Sequence, residues 1–241
     1  MEDDTGMSSE WKAKRFWKAV CVVAQDGGFA VELDDRRVKT PAKASLVLPT
    51  QAMAMAVAVE WDAQTGVINP GEMPFTRSAN AAIDKVFHQH GEVADMLAGY
   101  GDTDLLCYRA DSPLALVERQ TEAWDPALRW AGDVLGAKLS IKSGVIHKSQ
   151  SPDALARLSE RVHALSHFQL AAFHDLVSLS GSLILGFGAT MDRREAGAIW
   201  QLSQSDEIWQ QEQWGADDEA QAMSEIKRQA FLHAKRFFDL S

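Results

Sequence analysis

Residues 16–23, running Phe16-Trp17-Lys18-Ala19-Val20-Cys21-Val22-Val23, are rich in β-formers, and Phe29-Ala30-Val31-Glu32-Leu33 alternates with period two. Asp26-Gly27-Gly28 marks a turn between them, and Asp34-Asp35 turns the chain again into residues 36–40. The pattern predicts a β-meander of three strands with tight turns. Pro41 interrupts it, and Leu46-Val47-Leu48-Pro49 reads as one more short extended piece. Thr50 then suits a helix N-cap, and residues 51–64 predict a helix ended by Gly66. Its apolar positions (Met53, Met55, Val57, Val59, Trp61) are nearly continuous, which predicts a largely buried element. Residues 70–74 read as loop, and 77–90 as a second helix stopped by Gly91.

Beyond residue 90 strand signals almost vanish. Residues 104–109 are ambiguous, and 141–146 suit a short hairpin or a loop. Ser112-Pro113 predicts a helix start, with Ser as cap and Pro at the first position, running to about Trp130. Further helices are expected from Ser151-Pro152 to about 166, over 168–185, and from an Asp192/Glu195 capping box to Trp214, closed by Gly215. The last spans 217–238. These patterns predict an α+β protein: a small N-terminal β-rich domain at 1–90, then a larger C-terminal helical bundle domain at 91–241. Residues 1–10 read as a loose acidic tail.

Composition narrows the function classes. A chain of 241 residues with 46 % hydrophobic residues buries a sizeable core without disulfides or metals. The net charge of −10 disfavours nucleic acid and anionic membranes as partners. The apolar run 176–189 falls short of the ~20 residues that span a bilayer, so no membrane insertion is expected. The beginning of the sequence carries no secretory signal or Arg-rich transit pattern, and Cys21 and Cys107 are too few for a disulfide scaffold. The expected setting is a bacterial cytoplasm, or a mitochondrial matrix for a mature organellar form.

Candidate chemistry is sparse. His163 and His167 stand four apart and His88 and His90 two apart, without the Glu or third ligand a zinc site needs, so no metal is expected. Neither cysteine forms Cys-x-x-Cys, and Ser178-Leu179-Ser180-Gly181-Ser182 lacks the glycine pattern of a nucleophile elbow. No phosphate-binding glycine loop is present, and no cofactor is expected. Asp102 and Asp104 leave two readings: a carboxylate pair serving a small-molecule enzyme, or structural caps on backbone amides. The sharpest anomaly is electrostatic. Between Glu195 and Ile226 stand eight acids (195, 206, 207, 212, 217, 218, 219, 225) and no Lys or Arg, interleaved with Trp200, Trp209 and Trp214. Such a stretch is either a solvated face with its tryptophans in the core or a partner surface with aromatic anchors.

Several motifs occur together in order: Arg15-Phe16-Trp17-Lys18, Leu33-Asp34-Asp35-Arg36, Lys39-Thr40-Pro41, Glu60-Trp61-Asp62-Ala63-Gln64, Asp102 through Arg109, Trp124-Asp125-Pro126, and Gln210 with Trp214-Gly215. The ordered set resembles the ATP-twelve chaperones, which assist assembly of the α subunit of F-type ATP synthase. The resemblance implies a non-enzymatic protein that binds the free α subunit and shields its β-facing surface until β displaces it, without ATP hydrolysis. A displaceable shield is expected to be a monomer. By the same resemblance Glu207 matches the family's functional acid, and Asp206, Gln210, Glu212 and Trp214 are its expected companions at the partner surface. Glu60, Trp61, Asp102 and Asp104 are expected to be structural, with Trp61 anchoring its helix to the sheet. A scaffold without a fixed client is the remaining non-enzymatic reading.

Overall fold

The computed structural model describes residues 14–144 and 147–241. The expected tail at 1–10 and part of the 141–146 stretch (145 and 146) lie outside the described residues. The chain is α+β, with a small strand region first and a mostly helical remainder. It divides after Arg77 into two compact units.

In the first unit, β1 (Val20–Gln25), β2 (Gly28–Leu33) and β3 (Arg36–Arg37) form an antiparallel meander in sequence order. The Asp34-Asp35 turn holds both residues at positive φ, 45° and 67°, a conformation that Asp tolerates far better than β-branched residues. The extended piece expected at 46–49 docks on β2, where the Phe29 and Leu48 amides donate to each other's carbonyls at 2.9 and 2.8 Å. A Cβ on Gly28 would meet the Leu48 carbonyl oxygen at 2.3 Å, so only glycine permits this approach.

Thr50 caps α1 (Gln51–Ala63), its hydroxyl accepting from the Met53 amide at 3.1 Å. The helix packs across β1 and β2 with Met53, Ala54 and Val57 buried. Met55 and Val59, expected inside, are instead 50 % and 64 % exposed, because the core lies on one side of the helix only. Residues 70–72 form a 3₁₀ turn within the expected loop. The helix expected over 77–90 is α2 (Pro74–Ala81), continued by a wide π turn at Ala82–Val86. Gly91 does not stop it: α3 (His90–Gly99) begins one residue earlier, so His90 starts a helix rather than ending one.

In the second unit, β4 (Tyr108–Arg109) pairs in parallel with β5 (Lys142–Ser143), which makes the 141–144 part of that stretch neither hairpin nor free loop. Between them runs α4 (Leu114–Trp130), where Pro113 is the cap residue and Ser112 makes no cap bond, contrary to the expected order. Pro152 opens α5 (Pro152–His163), and a Ser166/Gln169 capping box opens α6 (His167–Ser180). The single helix expected over 168–185 is broken. Gly181 takes φ 69° and ends α6, and Ser182 caps α7 (Leu183–Thr190). Likewise Asp192 forms no capping box. Glu195 itself caps α8 (Ala196–Ser203), and Gln204 separates that helix from α9 (Ser205–Trp214). Asp217 caps the last helix, α10 (Asp218–Asp239).

One apolar cluster fills this unit, with Trp124, Phe173, Leu158 and Phe231 fully enclosed. The Trp124 indole donates to the Leu202 carbonyl at 2.8 Å, which satisfies the polar handle that burial would otherwise strand. The helix α10 lies along α6, and buried Lys235 pairs with Asp192 (2.8 Å) and Asp239. Asp192 is thus an ion-pair residue in the turn after α7.

Candidate functional site: the α9 surface and its groove

Only Ser205 of α9 is buried, so this helix sits on the surface and is held by polar contacts more than by packing. Asp206 and Glu207 occupy its first turn, where carboxylates favour the helix dipole. Gln120 of α4 donates to the Asp206 carboxylate at 2.8 Å. Arg119, one residue earlier, grips Glu212 with two hydrogen bonds of 2.5 and 2.8 Å and lies 5.9 Å from the Trp209 ring centre. That grip holds the Glu212 carboxyl below its ordinary range.

The helical period separates the expected partner residues. Asp206, Gln210 and Trp214, spaced by four, line a groove of about 760 Å³ whose far wall is the segment from Tyr108 to Pro113. Glu207 lines a different and smaller cleft of about 200 Å³ with Gln211 of α9 and Gln221 and Arg228 of α10. Glu212 is turned to Arg119. Three of the five expected residues therefore meet at one groove and two do not. The tryptophans divide as well: Trp200 is 3 % exposed and belongs to the core, whereas Trp214 is 79 % exposed. Sequence reasoning missed the far wall. Ser112-Pro113 carried the available signal, as a chain break, but nothing local tied it to α9.

The residues expected to be structural lie elsewhere. Glu60 is buried, and its carboxylate accepts from the Phe75 amide (2.6 Å), the Thr76 amide (2.8 Å) and the Thr76 hydroxyl (2.7 Å). Burial raises its pKa against the pull of these donors. Trp61 is half-buried, edge-on to Trp17 at 5.3 Å between ring centres. Asp104 is fully buried and accepts from the Leu106 amide (3.0 Å), the Ser182 hydroxyl (2.8 Å) and the Ile184 amide (3.0 Å). Burial pushes its pKa up to about 6. Asp102 accepts from the Gln150 amide at 2.6 Å and meets His147 Nε2 at 3.1 Å. Both carboxylates therefore accept from backbone amides, the arrangement of side chains that cap turns and helix starts.

The remaining candidates are placed as follows. His163 and His167 fall on different helices, His163 against Asp95 (2.9 Å) and His167 against the Phe87 ring, so they share no helix face. Among the described residues no group of three or more His, Cys, Asp or Glu could hold a metal ion. Cys21 is exposed, and Cys107 is buried with its thiol pushed up to about 12 by burial. Among the described residues no helix is long and apolar enough to cross a membrane.

Comparison with known proteins fits this architecture. Residues 14–132 match the family described as ATP12 chaperone protein. "Protein atp12, mitochondrial" of Schizosaccharomyces pombe is 28 % identical over 222 residues, which is 86 % of this chain and 75 % of that protein. The crystal structure of Atp12 from Paracoccus denitrificans superposes with a TM-score of 0.93 at 49 % identity, covering 96 % of this chain and 99 % of that one. The Atu1473 protein from Agrobacterium tumefaciens superposes with a TM-score of 0.86 at 40 % identity, over 92 % of this chain and 85 % of that one. Near-half identity to a solved Atp12 along almost the full length of both chains shows that this chain belongs to the ATP12 chaperone family.

Proposed function

We propose that this ATP12-family chaperone serves assembly of the F-type ATP synthase catalytic head by binding the free α subunit. An unassembled α subunit exposes the apolar surface meant for β, and such surfaces aggregate. A chaperone covering it must outcompete self-association yet bind less tightly than β, so that β displaces it without ATP hydrolysis. The observation that carries this reading is the α9 surface: Trp214 stands 79 % exposed within an acidic stretch that holds no Lys or Arg from 195 to 226. An exposed aromatic on a helix of carboxylates and glutamines suits moderate, reversible protein binding better than a wholly apolar face does. Asp206, Glu207, Gln210, Glu212 and Trp214 are the proposed contacts. The reading places the protein as a monomer, in a bacterial cytoplasm or a mitochondrial matrix, with no cofactor.

The experiment is co-expression of the α subunit without β, with and without this chain, in the absence of added ATP. The expected result is α kept soluble in a one-to-one complex that β dissolves. Glu207→Lys is expected to weaken capture while the melting temperature stays unchanged. Failure of the wild-type chain to keep α soluble overturns the client assignment.

A further inference from the structure

The groove beside α9 has the features of a site for an extended, positively charged chain. Its lining holds two carboxylates, Asp206 and Asp111, and neither has an ion pair among the described residues. Its one basic lining residue, Arg109, is already engaged: the guanidinium donates to Asp125 (2.8 Å) and to the Leu106 carbonyl (2.8 Å) and lies 5.3 Å from the Trp124 ring centre. The unmatched charge of the groove is therefore negative. Its far wall is extended at both ends, with φ/ψ of −97°/117° at Tyr108 and −71°/160° at Pro113, and bends at Ser112. The amides of Asp111 and Ser112 find no acceptor among the described residues. Across from them Gln210 and Gln213 present side-chain amides without partners among the described residues, and Trp214 presents an open ring.

We infer that this groove receives an extended, lysine- or arginine-bearing segment of the client, laid between the 110–112 backbone and the Asp206–Gln210–Trp214 face of α9. This rests on the α-subunit reading above and assigns the contact to one face of α9. Main-chain groups of the guest bond to the Asp111 and Ser112 amides and to the glutamine amides, as in other strand-addition modes. Its cation meets the two carboxylates that have no ion pair and the face of Trp214. The cleft that contains Glu207 fits a cation less well: its Glu225 is already held by Arg228, which leaves one carboxylate without an ion pair against the groove's two.

Photo-crosslinking tests the assignment. p-Benzoylphenylalanine is placed at Gln213 in the groove or at Gln221 in the smaller cleft, each full-length chain is co-expressed with α, and the crosslinked peptides are sequenced. The Gln213 probe is expected to capture an α segment containing Lys or Arg, and any α segment that the Gln221 probe captures beside Glu207 is expected to be a different one. In parallel, Asp206→Lys combined with Trp214→Ala is expected to lower affinity for α by about tenfold or more. Glu160→Lys, at an exposed position of α5, is expected to leave it unchanged. The melting temperature and a single-substitution Trp214→Ala control guard against a folding defect. Groove variants that bind α like the wild type overturn the inference while leaving the client reading intact. So do a Gln213 crosslink to a second copy of this chain and a captured segment without a basic residue. If the wild type captures no α at all, the client reading fails and the groove assignment falls with it.

Discussion

Arg119 of α4 and Glu212 of α9 are joined by two parallel hydrogen bonds of 2.5 and 2.8 Å, the bidentate geometry that guanidinium and carboxylate share. With Gln120–Asp206 beside it, this pair is the main polar tie between a surface helix and the rest of its unit. Glu212→Gln is therefore expected to make α9 amides exchange with solvent a few-fold faster while α6 and α7 stay protected. Hydrogen exchange resolved by segment checks this. Equal protection of α9 in both proteins contradicts it.

Glu60 collects three donors from the Phe75–Thr76 segment with one carboxylate. Glu60→Gln places an amide group against donors where an oxygen stood. The expected loss is about 2 kcal/mol of stability, read by urea unfolding. A change within error shows that the segment keeps its position without this clasp.

Asp104 offers a pH test. Its carboxyl ordinarily titrates near 3.8 and is pushed up to about 6 by burial, so the folded chain holds this proton more tightly than the unfolded one does. Between those values the folded state binds more protons, and the stability owed to this group falls as pH rises through the window. Asp104→Asn removes the titration, although it also weakens the clasp on Ile184 and Leu106. The stability advantage of wild type over the variant is thus expected to shrink between about pH 4 and about pH 6.5. Urea titrations at four pH values measure it, and a constant difference refutes it.

Trp61 meets Trp17 edge-on at 5.3 Å, and neither indole N–H has a hydrogen-bond partner among the described residues. Its contribution is then packing. Trp61→Ala is expected to destabilise the first unit by about 2–4 kcal/mol, whereas Trp61→Phe costs far less. Unchanged unfolding of Trp61→Ala contradicts this role.

Local signals in the sequence were legible where the chemistry is local. The Asp34-Asp35 turn, the Thr50 cap and the Gly215 helix end all depend on neighbours a few residues away. The errors share a different cause. The apolar run around Gly181 looks continuous because α7 is buried on all sides and α6 leads into it with Leu176 and Val177 in the core, so periodicity could not show the break that a left-handed glycine and the Ser182 cap create. Gly91 was read as a stop because a glycine after a helical pattern normally is one, but the π turn at 82–86 ends that helix first. At the candidate site the acidic, tryptophan-bearing half was visible in sequence. Its other wall was not, since Tyr108–Pro113 meets α9 only through tertiary folding. The Asp102/Asp104 pair shows the same limit in reverse, two acids adjacent in sequence whose partners, Gln150 and Ile184, are remote.

A helix with a single enclosed side chain has an evolutionary corollary. Nearly every position along it can change without opening a void in the interior, so exchanges there weigh little on whether the chain folds. On the function proposed above, the α9 half of the contact can drift with its target while the core beneath it stands still.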